Sequence, residues 1–192
     1  MKNLSYLVII LFITSLASCK KAKKEAPIVV PGTVPTELDI SETKKIKMEL
    51  TAKSGSDVSG NVVFKEENGQ VSMTAIISGL EPGQHAIHIH ESSDCSSDDG
   101  KSAGGHWNPT AKPHGKWGAA EGYHKGDIGN FTADENGNST ISFTTDEWCI
   151  GCDDHTKNIV GKGVIVHAGA DDFTSQPSGA AGARVSCAGI IE

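Results

Sequence analysis

The stretch VVFKEENGQVSMTAII, residues 62–77, decides the fold class of this chain. In its second part, the odd positions from Val71 to Ile77 are apolar, which is the two-residue period of a strand with one buried face. Asn68-Gly69 separates this run from the apolar residues 62–64, and this dipeptide is typical of a tight hairpin turn. The stretch therefore predicts two antiparallel strands joined by a turn.

The same pattern recurs towards the C-terminus. Asn136-Gly137 separates residues 131–133 from residues 139–143, which predicts a second hairpin, and residues 161–167 and 184–191 are predicted as further strands. No long amphipathic helix is evident between residues 46 and 192, so the predicted class is all-β. Two long segments, residues 91–125 and 170–183, interrupt the strands and are predicted to be functional loops.

The N-terminus has the features of a targeting signal. Lys2 precedes an apolar run of 14 residues, residues 4–17, whereas a membrane-spanning helix needs about 20. Residues 1–18 are therefore predicted to be a cleaved signal peptide. The sequence LASC, residues 16–19, resembles a bacterial lipobox, which implies lipid modification of Cys19. An ordinary secreted protein is the alternative.

Residues 19–45 are predicted to be a flexible tether. They contain the basic run KKAKK, residues 20–24, followed by a stretch rich in Pro and Val. The basic run either contacts anionic lipid headgroups or stays solvated. Lipid-modified Cys19 would anchor the protein to the bacterial cell envelope, on the periplasmic side or at the cell surface. Residues 46–192 form the predicted domain.

The charge of this domain limits its partners. From residue 46 onward, 10 Lys and Arg residues oppose 20 Asp and Glu residues, so nucleic acid is not an expected partner. An anionic substrate would need a local positive charge to overcome the overall repulsion.

The histidines suggest metal chemistry. In HAIHIH, residues 85–90, strand periodicity places His88 and His90 on one face and Ile87 and Ile89 on the other. His85 shares the parity of the isoleucines and therefore points away. Two histidines at this spacing are more often an exposed pair that binds no metal. Whether this pair binds a metal therefore depends on the other histidines.

Two ligand sets are compatible with the remaining histidines. Three imidazoles and the Asp127 carboxylate suit tetrahedral zinc, whereas four imidazole nitrogens, with His167 as the fourth, suit copper(II). His155 lies in a polar loop and is predicted to be solvated.

The motifs HAIHIH (85–90), SAGGHWNP (102–109), KPHG (112–115), HKGDIGN (124–130), VIVHAGADD (164–172) and AGARVSC (181–187) occur in this order. Over residues 46–192 the chain thereby resembles the copper,zinc superoxide dismutase family. The resemblance implies a Greek-key β-barrel or sandwich of about eight antiparallel strands with two long functional loops. It also implies disproportionation of superoxide to dioxygen and hydrogen peroxide, with copper as the redox metal and a histidine-bridged zinc.

The resemblance assigns roles residue by residue. It implies copper ligands His88, His90, His106 and His167, and zinc ligands His106, His114, His124 and Asp127. His106 would bridge the metals and deliver a proton, and Arg184 would receive the anion, so these two are the predicted catalytic residues. Asp171 would link a copper ligand to a zinc ligand, and His85 would be structural.

Four cysteines follow Cys19, and outside the cytoplasm an even set favours disulfides, with three possible pairings. The resemblance implies a bond between Cys95 and Cys187. For Cys149 and Cys152, a second disulfide, two free thiols and an extra copper or redox site stay open.

The chain departs from the family pattern at Ser93, in residues 179–182 and in the short second loop, which bears on loop conformation rather than on the metal ligands. Two other functions remain as alternatives. A non-enzymic copper- and zinc-binding protein of the envelope would lack a copper ligand or the arginine. A plain adhesion module would lack an ordered two-metal arrangement. Monomer and homodimer are both compatible with the sequence.

Overall fold

The computed structural model describes residues 43–192. The predicted signal peptide, the lipidation of Cys19 and the predicted tether up to residue 42 lie outside the described residues. The first strand begins at Lys44, two residues before the predicted domain boundary at residue 46. Strand β1 therefore includes the last two residues of the predicted tether, Lys44 and Lys45.

Eight strands form the domain. They are β1 Lys44–Ala52, β2 Ser59–Glu67, β3 Gln70–Ser78, β4 Gly83–His90, β5 Gly129–Ala133, β6 Ser139–Thr145, β7 Gly163–His167 and β8 Arg184–Gly189. A single 3₁₀ turn, Lys101–Ala103, is the one helical element within residues 43–192. None of the helical structure in the described part of the chain is long and apolar enough to cross a membrane.

The strands form one antiparallel sheet in the order β5-β4-β7-β8-β1-β2-β3-β6, which curls into a nearly closed barrel. Strands β3 and β4, β5 and β6, and β6 and β7 follow each other in sequence but are not neighbours in this order, so their connections cross in the manner of a Greek key. The prediction of an all-β protein with about eight antiparallel strands is confirmed.

Strands β1, β2, β3 and β6 are here called the hairpin half. The predicted turn at Asn68-Gly69 joins β2 and β3, which pair from Glu67 opposite Gln70 to Ser59 opposite Ser78. Both turn residues have positive φ, 53° and 74°, as a two-residue turn of this kind requires. Burial alternates along β3, so one of its faces, which includes Met73, packs in the core with Phe64 of β2. The other face meets solvent.

The second predicted hairpin is wrong. Strands β5 and β6 do flank a turn at Asn136-Gly137, but β5 pairs with β4 and β6 with β3. The turn closes through the Asp134 carboxylate, which accepts hydrogen bonds from the backbone N–H groups of Asn136 and Asn138. Gly137 then packs on the β3–β4 connection, where its carbonyl accepts from Leu80 N at 3.2 Å. The local sequence thus stabilises the turn, but contacts with distant parts of the chain determine which strands β5 and β6 pair with.

Strands β4, β5, β7 and β8 with their loops are here called the site half. Strands β4 and β7 are buried on both faces from His85 to His90 and from Gly163 to His167. One face of β4 supplies Ile87 and Ile89 to the core. The other face lies beneath the first loop, residues 91–128, and the second loop, residues 168–183. Strands β7 and β8 are shorter than predicted, since residues 161–162 and 190–191 lie outside them.

Candidate metal centre

Strand pairing brings the first three histidines together. His88 and His90 project from the same face of β4, and β7 runs beside it with His88 opposite Ile165, so that His167 lies at the end of the neighbouring strand. The first loop brings His106 to the same place through a backbone bridge to His90. The backbone N–H of its neighbour Trp107 donates to Ile89 O at 2.8 Å. The loop is therefore held on β4 as a short extra strand would be.

The first group of candidate ligands consists of His88, His90, His106 and His167, whose nearest ring nitrogens all lie within 4.8 Å of one another. In three of these rings, one nitrogen is engaged away from the centre. His90 Nδ1 donates to Gly104 O at 3.0 Å, His167 Nδ1 faces Gly182 O at 3.5 Å, and His88 Nε2 lies 2.9 Å from an Asp171 oxygen. The opposite nitrogens are thereby left facing the centre.

The second group consists of His106, His114, His124 and Asp127, again with one ligand atom of each within 4.8 Å of the others. His106 belongs to both groups, since its Nδ1 lies 2.8 Å from Asp127 Oδ1 while its Nε2 belongs to the side of the first group. Asp127 is oriented by backbone N–H groups, including that of His124 at 2.8 Å. The structure therefore brings all seven predicted ligands into two groups that share His106.

Four buried ring nitrogens in these groups make no hydrogen bond: His88 Nδ1, His106 Nε2, His114 Nδ1 and His124 Nδ1. The last two lie 3.0 and 3.3 Å from Asp127 oxygens, but without hydrogen-bond geometry. Burying a polar nitrogen without a partner costs about 1–3 kcal/mol each, so such a concentration needs an explanation. Metal ions at the centres of the two groups would satisfy all four. The donor sets fit copper and zinc, because the first is all imidazole nitrogen and the second adds one carboxylate oxygen.

The Asp171 carboxylate connects the two groups. One oxygen lies 2.9 Å from His88 Nε2 and the other 2.9 Å from His114 Nε2. Burial raises the pKa of Asp171, but the hydrogen bonds from His114 and His88 outweigh it and hold the pKa below its usual value. Asp171 is thus an ionised carboxylate that orients one ring of each group.

The charge states of the rings differ. Burial, followed by repulsion from neighbouring imidazoles, holds the pKa values of His90 and His167 well below the usual value. Burial likewise lowers the pKa of His106 to about 4, although Asp127 opposes it. Neutral imidazole is the form that binds metal. At His114, burial is outweighed by Asp127 and Asp171, which raise the pKa to about 9, so a metal would displace a proton there.

A cavity of about 480 Å³ opens onto His90, His106 and His167. Arg184, at the start of β8, and Lys101 line it as positive charges, and Glu91 lies among its walls. Arg184 donates from Nη1 to Gly100 O at 2.8 Å, which fixes the guanidinium beside the histidines. The cavity thus places a fixed positive charge in a domain of negative overall charge.

His85 and His155, which are predicted to bind no metal, lie outside both groups. His85 is buried, with Nδ1 3.0 Å from His167 O and Nε2 2.7 Å from Glu81 O. It therefore supports the backbone of β7 rather than a metal. His155 is exposed in the β6–β7 connection.

The structure contains two disulfides, Cys95–Cys187 and Cys149–Cys152. The first joins the first loop to β8, three residues from Arg184. The second brackets Ile150, which is 1% exposed in the core.

Sequence reasoning missed three side-chain amides that each satisfy both backbone groups of a single loop residue, an arrangement we call an amide clamp. Asn108 holds Lys112, Asn130 holds Asp171, and Gln176 holds His114. Asn108 and Asn130 lie inside the quoted motifs and could have been singled out there. Gln176 lies between motifs, in a loop of small residues, and carried no such signal.

Comparison with known proteins agrees with this geometry. The family model described as "Copper/zinc superoxide dismutase (SODC)" matches residues 58–190. A solved SOD-like protein from Bacillus subtilis is 29% identical, with a TM-score of 0.67, 76% of this chain covered and 97% of that chain. A double mutant of that protein is 30% identical with a TM-score of 0.68 over the same shares. The structure of the clock protein EA4 is 32% identical, with a TM-score of 0.64, covering 76% of this chain and 94% of that one.

Proposed function

The chain belongs to the copper/zinc superoxide dismutase family, and we propose that it is an active enzyme that converts superoxide to dioxygen and hydrogen peroxide. The observation that carries this proposal is the pair of ligand groups sharing His106, both complete and both opening towards a cavity that contains Arg184. The first group would hold copper and the second zinc. Bound copper would supply the one-electron redox chemistry, taking an electron from one superoxide and giving it to the next.

Arg184 is proposed to bind the substrate anion. Its guanidinium keeps its positive charge at neutral pH and offers planar N–H donors, which suits a small anion in the cavity. The domain has twice as many acidic as basic residues from residue 46 onward, so attraction must come from this local charge. Superoxide dismutases are a known example of such electrostatic steering.

His106 is proposed to carry a proton for peroxide formation. Its Nδ1 is held by Asp127, and its Nε2 is buried without a partner at the edge of the cavity. Nε2 is also the nitrogen on the copper side, so it could take up a proton and donate it to the reduced substrate only while it does not hold copper.

The location of the protein remains a proposal from the sequence. We propose that Cys19 carries a lipid and anchors the domain to a membrane of the bacterial cell envelope. The supporting observation is the LASC sequence after the apolar run at residues 4–17. Replacing Cys19 with Ser should move the protein from the membrane fraction to the soluble fraction. If Cys19→Ser leaves the membrane-bound share unchanged, the anchor is not at Cys19.

The activity is tested on the full chain loaded with copper and zinc. Elemental analysis should find one copper and one zinc per chain, and stopped-flow absorbance should show catalysed decay of superoxide. A protein that binds both metals stoichiometrically but leaves superoxide decay at the uncatalysed rate would instead be a non-enzymic copper- and zinc-binding protein. Failure to bind either metal would remove the basis of both functions.

A further inference from the structure

Gln176, in the second loop, forms an amide clamp on a predicted zinc ligand in the first loop. Its Oε1 accepts from the backbone N–H of His114 at 2.9 Å, and its Nε2 donates to the backbone carbonyl of the same residue at 3.0 Å. Gln176 and His114 are 62 residues apart in sequence, so the clamp is a long-range contact between the two loops. In a β-sheet, the N–H and C=O of such a residue would instead be hydrogen-bonded to a neighbouring strand.

The clamp acts on a residue whose ring is constrained at both nitrogens. His114 Nε2 faces Asp171 at 2.9 Å, and Nδ1 lies 3.0 Å from Asp127 Oδ2 on the zinc side. Two residues of the second loop thus contact this ligand, Asp171 at the ring and Gln176 at the backbone. His106 and His124 line the cavity themselves, whereas His114 is connected to the cavity wall through the second loop.

Close packing reinforces this joint. Gly179 has a φ of 67°, and a Cβ atom there would lie 1.8 Å from Asp171 Oδ1 and 2.6 Å from His114 Nε2. The same short segment contributes Pro177 and Ser178 to the lining of the anion cavity. The residues that shape the cavity are therefore continuous with the residues that hold His114.

We propose that Gln176 is a positioning residue that fixes the zinc ligand His114 on the second loop and so couples zinc binding to the wall of the anion cavity. The inference rests on the zinc site proposed above. Gln176 contacts neither metal nor substrate, so its effect passes through the backbone of His114. Two partly exposed hydrogen bonds of this kind are expected to change zinc affinity by about tenfold.

Two substitutions separate the two hydrogen bonds. Gln176→Met removes both while keeping a side chain of similar length. Gln176→Glu keeps an oxygen that accepts from His114 N–H but replaces the donor that faces His114 O. Gln70→Met, at an exposed glutamine beside the β2–β3 turn in the hairpin half, is the matched control.

The first measurement is amide hydrogen exchange at His114 in the full chain, made by NMR on the zinc-only protein. Gln176→Met should accelerate exchange of the His114 N–H at least about tenfold, because its acceptor is lost. Gln176→Glu should preserve most of the protection, and Gln70→Met should match the wild type. Unchanged His114 exchange in Gln176→Met would overturn the clamp.

The second measurement is zinc affinity by competition with a chromophoric chelator, supported by the absorption spectrum of the cobalt(II)-substituted site. Gln176→Met should bind zinc about tenfold more weakly, with an unchanged urea midpoint for the metal-free protein. Zinc affinity within twofold of the wild type would overturn the positioning role. If the wild type itself takes up no zinc or cobalt, the proposed zinc site fails, and this outcome is separate from any effect of Gln176.

Discussion

The two halves of the barrel are held together in different ways. In the hairpin half, uninterrupted ladders such as the nine-pair register between β2 and β3 satisfy the backbone. In the site half, β5 and β7 have only five residues each, and the long loops beside them rely on amide clamps and a disulfide. Backbone pairing in the first half does not depend on side-chain identity, whereas the second half depends on individual side chains. The candidate metal centre thus lies in the half that we expect to be more sensitive to substitution.

The largest expected effect of this difference concerns the copper group. His167→Ala should abolish nearly all superoxide dismutation, because loss of a ligand should exceed the roughly 10- to 100-fold cost typical of outer-shell changes. Activity is measured by stopped-flow and copper content by elemental analysis. His155→Ala removes an exposed histidine outside both groups and should leave both values unchanged. Full activity in His167→Ala would show that the site half does not hold copper as proposed.

The next effect concerns the two disulfides. Cys95–Cys187 closes a separation of 92 residues and Cys149–Cys152 one of 3. By loop-closure entropy, replacing the first pair with Ser should lower the free energy of unfolding by about 4–5 kcal/mol, and the second pair by about 2 kcal/mol. Urea denaturation of the metal-free proteins measures both. Equal losses would mean that the first loop gains no special stability from its covalent link to β8.

A smaller effect is expected at the anion cavity. Arg184→Ala should lower the rate about tenfold at low ionic strength while copper and zinc contents stay the same, because the positive charge acts on the approaching anion. The difference from the wild type should shrink as salt is added. Lys47→Ala, which removes one exposed positive charge from β1 in the hairpin half, is the control for overall charge. A salt-independent loss in Arg184→Ala would argue against steering.

The smallest effect is expected in the hairpin half itself. Gly69→Ala places a side chain at a φ of 74° with no atom within 4 Å, so only backbone strain is added. Stability should fall by about 1 kcal/mol, with zinc affinity unchanged. Thermal unfolding and chelator competition test the two statements. A marked loss of zinc affinity would mean that the halves are coupled more tightly than their separate contacts suggest.

Periodicity predicted the β2–β3 hairpin well because one face of these strands meets solvent. The apolar and polar alternation in residues 71–77 follows the alternation of buried and exposed side chains along β3. Asn68-Gly69 has the φ values that its turn requires. In the site half, β7 is buried on both faces, so its pattern is a continuous apolar run with less certain ends. The failed hairpin at Asn136-Gly137 shows the remaining limit, since strand partners depend on distant contacts.

The candidate metal centre was predicted in a different way. Parity on β4 separated His88 and His90 from His85, and the spaced motifs supplied the remaining ligands. The structure brings the same seven ligands into two groups. The clamp on His114 could not be read from sequence, because a glutamine acts there only through a backbone 62 residues away. Polar contacts between loops follow from the folded path of both loops and leave no local pattern.

Strand β1 runs from the start of the described domain to the strand that begins with Arg184. The preceding chain joins at Lys44, whereas at the far end of the strand Ala52 pairs with Ser186 of β8, next to the backbone of Arg184. At about 3.3 Å per residue, these two ends are about 26 Å apart. The N-terminal end of the described domain and the backbone of Arg184 therefore lie at opposite ends of one strand.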